Sequence, residues 1–199
     1  QDSAINDAIG QYEKFLKTTA EKMQRAGSPY GYVSMGSTIV CTADAYCAVG
    51  GMSRKKATED FYFLQELTKY CGVHNIPETL VFPSPRPISR VYLGTGYRME
   101  QIQKGFDITN LYYSDDAYRY LSKWLQLGGH AWEKSLNDLL KDIKSIHPNL
   151  IGFLKIEGIE TIWSKIQNNA PSKSHFTEQF HRWFDGLKTI RFLKRFSSP

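Results

Sequence analysis

Two adjacent carboxylates, Glu59 and Asp60, stand at the head of an apolar run in the stretch RKKATEDFYFLQEL, residues 54–67. A carboxylate held within hydrogen-bond reach of a hydroxyl can take its proton as the oxygen attacks an electrophile. With a reference pKa of ~3.9, an aspartate is a weak base in bulk water, so such a role rests on positioning. The pair also suits a plain helix start. Thr58 is a good N-cap residue type, and acids in the first turn stabilise a helix by roughly 0.3–1 kcal/mol through its dipole. Spacing alone leaves both readings standing.

Arg86 and Arg90 lie in PSPRPISR, a proline-stiffened loop followed by GTG. The guanidinium fork matches carboxylates and phosphates, so the loop reads as an anion-binding segment. It reads equally as a surface loop tied to Glu59, Asp60 or Glu66 by ion pairs. GTG alone is neither a Walker loop nor a dinucleotide fingerprint. The five histidines are scattered, and Asp115-Asp116 lacks the D-x-D spacing that holds a metal on a nucleotide diphosphate. No metal site and no cofactor is expected in this chain. Cys41, Cys47 and Cys71 are odd in number and lack C-x-x-C spacing. They read as buried free thiols in a reducing compartment.

The elements that must position these residues follow from periodicity. Ile5, Ile9, Tyr12, Phe15 and Leu16 recur at helical spacing, so residues 3–25 read as a helix capped by Ser3. STIVC, residues 37–41, reads as a strand, residues 43–49 as a helical turn, and Gly50-Gly51 as a break. A helix is expected over residues 59–71 and a short strand over 79–82. Beyond Tyr97 the chain is mostly helical, over 117–127, 131–146, 159–167 and 176–196, with breaks at Gly128-Gly129, Pro148 and residues 168–174. The last segment sets Phe176, Phe180, Trp183, Phe184, Leu187, Ile190 and Leu193 against Lys188, Arg191, Lys194 and Arg195. Such a face reads first as core, and also suits a membrane surface. The expected fold class is α/β tending to α+β: helix-rich, with a small mixed sheet.

The bulk numbers fit this. The chain has 199 residues, 41% hydrophobic and 23% charged, with a net charge of +5. That composition is globular, and the mild positive charge favours anionic ligands without demanding them. There is no long apolar run and no signal-peptide pattern at the start.

The order GSTIVCTADAYCAVGG then MSRKKATEDFYFLQEL resembles the second half of the catalytic domain of family 2 glycosyltransferases. The likeness falls on Gly36-Ser37, Ala45-Tyr46, Val49-Gly50-Gly51-Met52 and Glu59-Asp60. SPYGYVSMGS, PSPR with GTG, and the closing FHRWFDGLKTIRFLKRF resemble a bacterial branch of that family. The resemblance implies a nucleotide-diphospho-sugar transferase (GT-A) fold and inverting sugar transfer to an acceptor hydroxyl. Asp60 matches the catalytic base and Glu59 its acidic neighbour, while Gly36, Ser37, Gly50 and Gly51 fall near acceptor and donor sugar. Substrate binding by Arg86 and Arg90 is inferred from their chemistry.

One departure is large: the βαβ half that binds the nucleotide and supplies D-x-D has no counterpart. The expectation is therefore a C-terminal portion, with residues 1–98 the acceptor-side half of a GT-A-like domain and 99–199 a helical region packed on it. Such a piece is expected to be inactive alone. A divalent metal, Mg²⁺ or Mn²⁺, and the nucleotide sugar would belong to the full-length enzyme. The implied location is cytoplasmic, at the inner face of the membrane, with peripheral membrane contact and homodimerisation through an uncovered sheet edge as expected associations. The competing class is a non-catalytic module for an anionic ligand or nucleic acid. The basic residues are spread over several elements, so nucleic acid is not the expected partner.

Overall fold

The structure is a computed structural model that describes residues 2–54, 57–76, 78, 80–81 and 94–197, with backbone only for residues 2–5 and 37. Among the described residues there is no strand, and the architecture is all-α. This overturns the expected small mixed sheet and the α/β assignment. The sheet edge offered to a second copy has no counterpart among the described residues either. Helices α1 (Asp2–Arg25), α2 (Ala43–Ala48), α3 (Glu59–Tyr70), α4 (Thr95–Gln103), α5 (Asp115–Gly129), α6 (Leu136–Ile143), α7 (Leu150–Ile156), α8 (Ile159–Asn168), α9 (Lys173–Trp183) and α10 (Gly186–Ser197) follow in order. Two 3₁₀ turns occur, at Gly36–Thr38 and Ile108–Leu111. None of the described helices is long and apolar enough to cross a membrane.

The chain forms two compact units, Gln1–Glu21 with Tyr30–Tyr112, and Lys22–Pro29 with Tyr113–Pro199. In the first, Ala45 of α2 packs with Phe63, Leu64 and Leu67 of α3, and Tyr32, Ile39, Val49, Met52 and Val73 close around them. The expected strand over residues 37–41 fails here for a physical reason. Its β-branched residues keep strand-like alternation, with Ile39 against the core and Val40 83% exposed. β-propensity reflects packing on a pleated neighbour, and no neighbouring strand is present among the described residues. The start of the segment instead tightens into the 3₁₀ turn, where both the amide and the hydroxyl of Thr38 donate to the Met35 carbonyl at 2.9 Å. Of the second expected strand, Leu80 and Val81 are irregular, and Thr79 and Phe82 lie outside the described residues. All three cysteines are exposed, against the expected burial. The small core of this unit does not reach them.

The second unit is a helical bundle with α5 packed on α9 and α10. Trp124, Trp163, Phe176, Phe180, Phe184 and Phe192 are fully buried. A buried indole N–H usually finds a partner, but that of the fully buried Trp124 has none among the described residues. Trp163 Nε1 donates to the Lys134 carbonyl and Trp183 Nε1 to the Glu157 carbonyl, both at 3.2 Å. Serine caps start three helices: the hydroxyls of Ser114, Ser135 and Ser172 each accept from the backbone amide three residues on, at 3.2 Å. The expected single helix over residues 176–196 is two. The break comes at Phe184-Asp185, where Asp185 Oδ1 accepts from the Lys188 amide at 3.1 Å and so caps α10. The expected break at Gly128-Gly129 comes two residues late: both glycines are helical, α5 ends at Gly129, and α6 begins at Leu136.

Candidate functional site

Asp60 sits in the first turn of α3. Its Oδ1 accepts from the Phe61 amide at 2.7 Å, and its Oδ2 accepts from the Gly36 amide at 3.2 Å. A Cβ on Gly36 would stand 3.5 Å from Asp60 Cβ. The 3₁₀ turn and the start of α3, 24 residues apart, thus meet through a backbone amide and a carboxylate. Glu59 is half-buried beside Asp60. Thr58 does not cap the helix as expected. Its φ is +66°, the left-handed region, and its hydroxyl donates to the neighbouring Ala57 carbonyl at 2.6 Å. For a β-branched residue that conformation is strained, and Thr58 is the one non-glycine with positive φ among the described residues. The strain falls on the residue that sets the angle at which α3, and Asp60 with it, leaves the loop.

Two groups missed by sequence reasoning lie in the same electrostatic neighbourhood. Burial pushes the Tyr12 phenol above its ordinary pKa; the Arg98 guanidinium opposes this, and the Asp60 charge adds to it. Tyr12 comes from α1, Arg98 from α4 and Asp60 from α3, so the charges of two helices act on the phenol of a third. A phenol is a hydrogen-bond donor throughout the neutral range at its ordinary pKa, and the upward shift carries that state further into alkali. Tyr12 was hidden in the apolar stripe of α1, where only its polar tip distinguishes it from core. Arg98 stands just after the GTG that drew attention to Arg86 and Arg90.

Gly50 and Gly51 close α2 with φ of +77° and +72°. The Gly51 amide donates to the Tyr46 carbonyl at 2.8 Å. A Cβ on Gly51 would lie 2.8 Å from Tyr46 Cε1, whereas one on Gly50 meets nothing within 4 Å. The Tyr46 ring in turn packs on Phe63 of α3, centroids 5.5 Å apart. The turn therefore reaches the helix of Asp60 through the Tyr46–Phe63 pair and through its flanking Val49 and Met52, which pack on the same core. Gly50→Ala is expected to cost about 1 kcal/mol from backbone strain alone. Gly51→Ala adds a ring clash and is expected to cost about 2–3 kcal/mol. Amide exchange across α2 and α3 checks the order of the two.

Ser37 follows Gly36 in the 3₁₀ turn. Arg86 and Arg90 lie outside the described residues. Among the described residues no group of three or more His, Cys, Asp or Glu side chains could hold a metal ion. The Mg²⁺ or Mn²⁺ implied by the resemblance thus finds no fitting ligand set there. What the arrangement offers is an oriented carboxylate, a protonated phenol and a cation. Comparison with family models, curated proteins and solved structures returns no match for this chain.

Proposed function

We propose that the first unit carries the acceptor side of an inverting glycosyl transfer, with Asp60 as general base. The supporting observation is the 3.2 Å hydrogen bond from the Gly36 amide to Asp60 Oδ2, which joins two residues that the family resemblance assigns to one site. A carboxylate has about four lone-pair positions, so each oxygen keeps acceptor capacity after binding the Gly36 and Phe61 amides. An acceptor hydroxyl donates to one of them. As its oxygen bonds to the anomeric carbon, the bond to the nucleotide diphosphate breaks on the opposite face and the proton passes to Asp60. Gly36 and Phe61 fix the carboxylate's plane during this step. No residue of this chain is assigned to the donor diphosphate. Under this reading the protein works in the cytoplasm, where nucleotide sugars are available.

Asp60→Asn keeps an oxygen for the Gly36 amide, gives up the bond from the Phe61 amide, and removes the base. In the intact protein, sugar transfer from a nucleotide-sugar panel to hydroxyl acceptors is expected to fall by roughly 10²–10⁴-fold in kcat. Helical circular dichroism should be unchanged. Transfer at the wild-type rate would remove Asp60 from the role.

A further inference from the structure

The last helix carries charge of one sign only. α10 has the sequence GLKTIRFLKRFS, four Lys/Arg and no Asp or Glu, in a chain whose whole net charge is +5. Thr189, Phe192, Leu193 and Phe196 are its buried side. Leu187, Lys188, Arg191, Lys194 and Arg195 fall on the opposite side by helical spacing; Arg191, Lys194 and Arg195 are exposed, and Leu187 and Lys188 are partly so. The Arg191 guanidinium reaches the Glu157 carboxylate at 3.4 Å, and the Glu157 side chain is only 7% exposed. The acid is tucked in and the cation stands outside it. Ile156, the residue before Glu157, is 85% exposed. A bare aliphatic side chain therefore stands beside a basic helix face.

We infer that the α10 face, with Ile156 at its margin, docks on the surface of a bilayer rich in anionic phospholipid. Cations next to aliphatic residues match that interface: headgroups attract the former and the acyl boundary accepts the latter. A nucleic acid would call for exposed rings on which bases stack. Here Phe176, Phe180, Phe184, Phe192 and Phe196 are all buried. The inference is independent of the glycosyl-transfer reading.

The whole protein is tested by co-sedimentation with phosphatidylcholine vesicles, with phosphatidylcholine–phosphatidylglycerol vesicles, and against a single-stranded oligonucleotide. Binding is expected to the mixed vesicles only, and to fall as salt rises. Each cation near an anionic surface contributes roughly fivefold in affinity, so Lys188→Gln with Arg195→Gln should weaken binding by on the order of 20-fold. That pair leaves the Arg191–Glu157 contact intact, and unchanged circular dichroism shows that the variant folds. Ile156→Ser should weaken vesicle binding while leaving the helix content as it is. Equal binding to both vesicle types, binding to neither, tighter binding to the oligonucleotide, or a double variant that binds like wild type would each overturn the inference.

Discussion

Gly128→Val is expected to destabilise the second unit by about 3 kcal/mol or more, enough to threaten a domain whose total stability is of order 5–15 kcal/mol. A Cβ at Gly128 would stand 2.5 Å from Phe180 Cε2, 2.6 Å from its Cζ and 3.1 Å from Trp124 Cη2. The ring has no easy retreat. Phe180 is fully buried, with Trp124, Trp183 and Phe184 at centroid distances of 5.4, 6.0 and 6.3 Å. Close-packed interiors transmit such a displacement to their neighbours. Alanine should cost less, because its helix propensity returns about 1 kcal/mol over glycine. Gly152→Ala is the control of opposite sign. It lies exposed in α7 of the same unit with nothing within 4 Å of its Cβ position, and should stabilise by roughly 0.5–1 kcal/mol. All four tryptophans, Trp124, Trp132, Trp163 and Trp183, belong to the second unit. Urea denaturation followed by tryptophan fluorescence therefore reads that unit's stability. A wild-type midpoint for Gly128→Val would show that the α5–α9 contact is looser than described.

The same glycine shows what the sequence could and could not convey. The Gly-Gly pair signals a break, and α5 does end at Gly129. Gly128 itself is helical and serves as a missing Cβ beside Phe180, a property visible only with the facing ring in place. Helix positions with strong periodicity were legible: α1, α3, α5 and α8 fall within about two residues of their expected bounds. The segment 37–41 was not legible, because its β-branched run carries a local preference that only a neighbouring strand can realise. Residues 176–196 keep helical periodicity across Asp185, so the break hides in the pattern; the capping signal Asp185-Gly186 was there to be read. In the candidate site, Asp60 and Gly36 were singled out together and are in contact, whereas the expected Thr58 cap gave way to a strained backbone. Tyr12 and Arg98 escaped because a charge acting across helices α1, α3 and α4 has no signature in any one of them.

His181 gives the second unit a pH dependence with a definite sign. Burial, and secondarily the charge of His130, lowers its pKa from 6.5 to about 4. The ring packs on Phe180 with centroids 5.3 Å apart, where an imidazolium would lose much of its hydration. Unfolding exposes it, and the unfolded chain then binds a proton at pH values where the native one does not. Because the folded pKa is the lower of the two, the stabilising contribution is complete above pH 6.5. It is lost progressively as pH falls from 6.5 towards 4, and the total is on the order of 3 kcal/mol. Asp107, Asp115 and Asp138 also have lowered pKa values, from hydrogen bonds with Thr109, Lys22 and Lys141 respectively. As carboxylates they act through and below their ordinary value of 3.8, which separates them from the histidine window. Tryptophan-detected urea melts at about pH 7.5 and about pH 4.5 should show most of the histidine loss in the wild type. His181→Gln, neutral at both, should remove most of the difference while lowering stability at the higher pH through lost packing. An unchanged pH dependence in that variant would assign the slope to other groups.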